Sequence, residues 1–280
     1  VAVVLALLSS LLWGAADFLG GTVSRRRSAA LVVGASQLVG LVSITVVAVA
    51  AGALGDDAGY LPWAVGAGLA GLVGLVCFYA ALAAGTMGVV SPIAAMGVVV
   101  PVLVGLARGE RPAPVQLAGI LLAFAGVVLA SGPELRGRAG ARPLLLAAVA
   151  AAGFGLALLF IAEGSQSSTL MTLVTMRLTS VTVLAVVLAV AVRRRPRPEL
   201  GLDRRDLGLV AVIGVGDVAA NLAFGLASTR GLVSVVAVLG SLYPVVTVLL
   251  ARIVHGERLG AAQTVGVAGA LAGVGLIAAG

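Results

Sequence analysis

The chain has 280 residues, 61% hydrophobic and 10% charged, whereas soluble domains run at roughly 45–50% and 25%. That balance excludes an ordinary water-soluble domain. The formal charge of +7 sits in the joints between apolar runs, not on one basic face, so nucleic acid is excluded as a partner.

Ten apolar runs follow one another, at about 1–20, 29–51, 61–84, 89–107, 113–131, 143–162, 168–192, 206–228, 231–253 and 260–279. Each is about 20 residues, the length that carries a helix across a hydrocarbon core of roughly 30 Å. Alternation of apolar and polar residues is missing, which excludes a β-barrel. The expected fold is an all-α integral membrane protein with ten transmembrane helices.

In the first segment Ser10, Trp13 and Asp17 fall on one helical face. The second carries Gln37, the third Tyr79 and the lone Cys77, and the fourth a central Pro101. Glu110 stands at the joint that opens the fifth, where a carboxylate meets the positive end of a helix dipole, so helix capping is its expected role. Phe154 lies in the sixth segment, which ends at Glu163, a residue of the loop or a gate. Arg177 and Ser180 lie in the seventh, and Asp217, Asn221 and Phe224 share a face of the eighth. Tyr243 and Pro244 occupy the ninth, and Glu257 opens the tenth as Glu110 opens the fifth. His255 is the sole histidine, so no metal site is expected, and no cofactor.

One passage occurs twice. Gly88, Val90, Ser91, Ala94, Gly97 and Pro101 match Gly231, Val233, Ser234, Ala237, Gly240 and Pro244 at a spacing of 143. Gly109, Glu110 and Arg111 match Gly256, Glu257 and Arg258 at 147, so the second copy carries four extra residues, one helical turn or about 6 Å. The chain therefore reads as two five-helix units, 1–131 and 143–280. An odd number of crossings makes the second enter the membrane from the opposite side, an arrangement of inverted repeats common in transporters.

The doubled Gly-Glu-Arg with its preceding proline and following Gln-x-x-Gly, together with the opening Leu11 to Gly21, resembles the EamA-type domain of the drug/metabolite transporter superfamily. The resemblance spans essentially the whole chain. It implies an exporter of small metabolites or drugs with a central cavity lined mainly by segments 1, 3, 4, 6, 8 and 9. The turn missing from the first copy between Pro101 and Glu110 makes the halves unequal around that cavity.

Arginines in alternate joints set the orientation. Fourteen follow odd-numbered segments and three follow even-numbered ones, which places the odd joints in the cytoplasm and both termini outside. The expected location is a bacterial inner membrane.

An ionisable group at the bilayer centre costs about 2.5–3.5 kcal/mol even on the insertion scale. Asp17, Arg177 and Asp217 therefore carry the functional case, as groups lining a solvated cavity. Arg177 would meet a carboxylate substrate or one of the aspartates. The plainer reading is a structural Asp–Arg pair between helices, worth on average about 0.6 kcal/mol. Trp13, Tyr79, Phe154 and Tyr243 offer flat faces to a ligand, with Gln37 and Asn221 as polar neighbours. Pro101 and Pro244 each remove a helical hydrogen bond and read as hinges. Asp217 is the expected proton-coupling group, since Asn221 lies one turn away and its first-half counterpart, Gly74, has no side chain. Small-residue stripes at Gly119, Ala123, Gly126 and at Gly266, Gly269, Gly273 read as a seam between segments 5 and 10, or as the face of a homodimer.

An integral-membrane enzyme would need paired aspartate motifs for magnesium diphosphate, or a catalytic serine or aspartate dyad, and neither is present. The sequence thus points to a secondary transporter of small molecules, with a channel-like or scaffold protein as the alternative.

Overall fold

The structure, a computed structural model, describes residues 1–84, 90, 93–130, 141–194, 201–255 and 260–279. Its described residues are mostly helical, without a strand, and in chain order form α1 (Ala2–Ser24), α2 (Ala29–Ala50) and α3 (Leu61–Ala84). Next come α4 (Val99–Ala107), α5 (Pro114–Ala130), α6 (Ala141–Arg194) and α7 (Arg204–Ser228). The chain ends in α8 (Val233–Gly240), α9 (Tyr243–His255) and α10 (Ala261–Ala279). Gly88, Ser91, Gly256, Glu257 and Arg258 of the repeated passage lie outside the described residues, as do Arg136, Arg138, Arg195 and Arg197.

Five helical stretches are long and apolar enough to cross a membrane, and Ile93–Ala107, Pro114–Leu129, Val233–Thr247 and Thr264–Ile277 are shorter apolar helices. The expected sixth and seventh segments are joined in α6, whose 54 residues are broken only at Ser168, with φ −155° and ψ 114°. The break has a local cause. Ser168 Oγ donates to Asp56 Oδ2 at 2.5 Å and accepts from the Met171 amide at 3.2 Å, capping the helix that resumes after it.

The fourth and ninth segments are interrupted at matching places. A 3₁₀ turn at Met96–Val98 precedes α4, and Ser241 and Leu242 separate α8 from α9. Pro101 and Pro244 each stand in the first turn after the interruption, where the missing N–H is tolerated. The four-residue insertion appears as length, since α9 runs 13 residues and α4 only 9.

α4 ends in a Schellman motif. Gly109 takes φ +93°, the Glu110 amide donates to the Gly105 carbonyl at 3.0 Å and the Gly109 amide to that of Leu106 at 3.0 Å. This turn corrects the expected role of Glu110. Its carboxylate caps not α5 but α8, accepting from the Val233 amide at 2.8 Å and the Ser234 amide at 3.0 Å. At α5 the Gln116 side chain takes over, accepting from the Ala113 amide at 2.9 Å.

The small-residue stripes meet within the chain. A Cβ on Gly119 would lie 2.7 Å from the Gly273 carbonyl oxygen, and one on Gly273 2.5 Å from the Ala123 amide, so the α5 and α10 backbones touch directly. Gly269 is looser, its nearest neighbour being the Gly126 Cα at 3.6 Å. At one end of the bundle, the nearly inaccessible Asp206 pairs with Arg27 at 2.7 Å, tying the α1–α2 joint to α7. Elsewhere Glu163, in the first part of α6, forms an ion pair with Arg108 just after α4.

Candidate functional site

Trp13 and Asp217 stand near the midpoints of α1 and α7, helices of 23 and 25 residues, and meet there. The Trp13 Nε1–H donates to Asp217 Oδ1 at 3.1 Å. Asn221, one turn along α7, donates from Nδ2 to the same oxygen at 3.1 Å and to the Asp217 carbonyl at 2.6 Å. Arg177, on α6, donates from Nη2 to Asp217 Oδ2 at 2.6 Å and from Nη1 to Gln37 Oε1 of α2 at 2.7 Å. Ser180 Oγ completes the Gln37 oxygen at 2.8 Å. Four helices are thereby tied by one buried polar network.

The network borders a cavity of about 770 Å³, counting its open part. Its wall includes Trp13, Asp17, Gln37, Phe154, Arg177, Asp217, Asn221 and Tyr243, along with apolar side chains of α3 and α6. Tyr79, expected on this wall, is instead buried behind it. Its ring packs on Phe78 with centroids 6.1 Å apart, and its hydroxyl presses against Gly20 of α1, where any side chain would exclude it. The lining also extends the resemblance, which named segments 1, 3, 4, 6, 8 and 9. Gln37 on α2 and Met176, Arg177 and Ser180 on the second part of α6 belong to it too. That contribution was signalled by polar residues in otherwise apolar runs.

The two aspartates differ in company. Asp217 has three side-chain donors, whereas Asp17, 8% exposed, receives no hydrogen bond or ion pair from any described residue. It is one of the residues that line the cavity. Asp17 interacts electrostatically with Asp217, Tyr79 and Tyr243. Arg177 Nε and Tyr243 Oη are both buried and without a hydrogen-bond partner among the described residues.

Aromatic rings stiffen this wall from behind. Phe78 packs edge-on against Phe154 at 5.4 Å and against Tyr243 at 6.3 Å, and Trp13 lies 5.7 Å from Phe224. The cavity therefore has an aromatic and aliphatic lining around a small charged group. Among the described residues no three His, Cys, Asp or Glu side chains gather as a metal site would require.

Comparison with known proteins agrees with this architecture. No curated protein matches the chain. One solved crystal structure, 20% identical, superposes with a TM-score of 0.77 over 98% of this chain and 95% of its own, which shows a shared fold. The sequence also matches the EamA-like transporter family twice, over residues 1–132 and 141–279. With nearly its whole length matched, the chain belongs to the EamA-like transporter family, and is a multi-pass membrane transporter.

Proposed function

We propose that the protein is a secondary carrier that exports small metabolites or drug-like compounds from a bacterial cytoplasm. In this reading the chain makes ten crossings as two inverted five-helix units, 1–131 and 143–280. The cavity opens alternately to the two sides of the membrane, with Pro101 and Pro244 as hinges. The observation that carries it is the mid-helix cavity, walled by helices from both matched regions and crossed by the Trp13–Asp217–Arg177–Gln37 network.

Counterflow in proteoliposomes tests it. Vesicles preloaded with an unlabelled amino acid, nucleobase or amphipathic drug should accumulate the labelled compound from outside, with saturation. Flux that rises linearly and ignores the internal solute would favour a channel. Asp217→Asn should abolish both counterflow and uptake driven by a pH gradient, because Asp217 organises Arg177, Trp13 and Asn221. Loss of gradient-driven uptake alone, with counterflow preserved, would assign Asp217 the proton-coupling role expected from the sequence. The orientation is read from a cysteine at Gly201 in a Cys77→Ala background, which an impermeant maleimide should label only after permeabilisation.

A further inference from the structure

We infer that the cavity binds an organic monocation at Asp17, an inference that rests on the carrier reading above and narrows its solute. Three of the described lining residues carry formal charge, namely Asp17, Arg177 and Asp217. Arg177 and Asp217 face each other at 2.6 Å, so the pair is internally compensated, and Asp17 is left as the ionisable lining residue without a counter-ion among the described residues.

Hydrogen bonding points the same way. Each terminal nitrogen of Arg177 already donates once, to Gln37 and to Asp217, and its Nε is buried, so its charge is committed to partners within the protein before an anionic solute arrives. A cation finds a carboxylate that lines the cavity, accepts no hydrogen bond from the described residues and is more than nine-tenths buried. A buried carboxylate without a partner is unfavourable, and a positive charge beside it relieves the cost.

The surroundings decide what kind of cation. Trp13 and Tyr243 are among the lining residues, and aromatic rings attract ammonium groups. Leu72, Val98 and Ile161 add an apolar wall suited to a hydrocarbon body. A bare metal ion asks for several oxygen ligands, and this wall offers one free carboxylate. A cation with an apolar or aromatic substituent meets both halves of the lining.

Benzyltrimethylammonium is a suitable probe, since its charge is fixed and its shape is matched by uncharged neopentylbenzene. Titrated calorimetrically into the purified protein in detergent, the cation should bind with saturation and at least tenfold more tightly than neopentylbenzene or the anion phenylacetate. Asp17→Asn should weaken it at least tenfold, and Asp17→Glu should hold it within about threefold. Equal binding by Asp17→Asn, or a preference for phenylacetate or neopentylbenzene, overturns the inference. The ligand comparison in the parent protein decides the matter even if Asp17→Asn fails to fold. If phenylacetate is bound and exchanged across proteoliposomes while the cation is not, the cation inference falls and the carrier reading stands. If the cation binds as expected and no compound shows counterflow, the carrier reading falls and the binding site stands.

Discussion

Carried back by the spacing of 143 residues, Arg177 and Asp217 fall on Gly34 and Gly74. The two halves thus treat the same places in opposite ways. In the second half they hold a guanidinium and a carboxylate 2.6 Å apart. In the first half the room is taken by apolar side chains from the second. A Cβ on Gly74 would come within 2.8 Å of the Phe154 ring, and one on Gly34 within 3.0 Å of Leu184 Cδ2. Residues that still correspond meet each other, as Gln37 does its counterpart Ser180 at 2.8 Å. Likeness between the halves supplies the scaffold, and unlikeness supplies the charge.

The comparison can be broken most forcefully at Arg177. Arg177→Met leaves Asp217 without its cation and should cost about 3–5 kcal/mol, seen as a large fall in the detergent melting temperature. Adding Asp217→Asn should recover most of the loss. A double variant no more stable than the single one would show that the pair is not what Arg177 contributes.

Gly74 tests the empty side. Gly74→Ala drives a methyl group toward Phe154 and should cost about 1–3 kcal/mol through overpacking. Cutting back the ring with Phe154→Ala should make the added methyl nearly neutral, and a double-mutant cycle measures that coupling.

A smaller loss is expected at Glu110, where the first half holds the second. Glu110→Gln keeps one acceptor of the two that bind the α8 amides and should cost about 1 kcal/mol in thermal unfolding. If it melts like the parent, the cap is ornamental.

The smallest effect concerns Asp203, which starts the helix that carries Asp217, accepting from the Asp206 amide at 2.7 Å. That backbone bond, aided by the Arg205 amide and by Arg27 and Arg26, holds its carboxyl below the usual aspartate range. A group so depressed contributes stability in full above its unfolded value and loses it as pH falls through the folded one. Asp203→Ala should therefore melt slightly below the parent at pH 7, with the difference closing on acidification.

Much of this was legible in the amino-acid order. Long apolar runs name helices, and an ionisable residue inside one marks a cavity or a buried pair, which is how Asp17, Arg177 and Asp217 stand out before any coordinates. What periodicity does not encode is the lateral neighbour. Arg177 has two aspartates to choose from, and only the packing of α6 against α7 and α1 gives it Asp217. Tyr79 sits in a helix that borders the cavity, yet the absence of a side chain at Gly20 draws its hydroxyl behind the wall. Glu110 reads as the cap of the helix that follows it, because dipole arguments are local. Its true partner begins 123 residues later and is reached through the left-handed turn at Gly109.

That carboxylate also turns two atoms into a clock. First-turn amides of a helix have no intrahelical acceptor and commonly trade their hydrogens with solvent at once. Those of Val233 and Ser234 are instead held by a residue of the other half. Their deuterium uptake, timed in native vesicles, records each parting of α8 from the end of α4, and so counts how often the halves let go of one another.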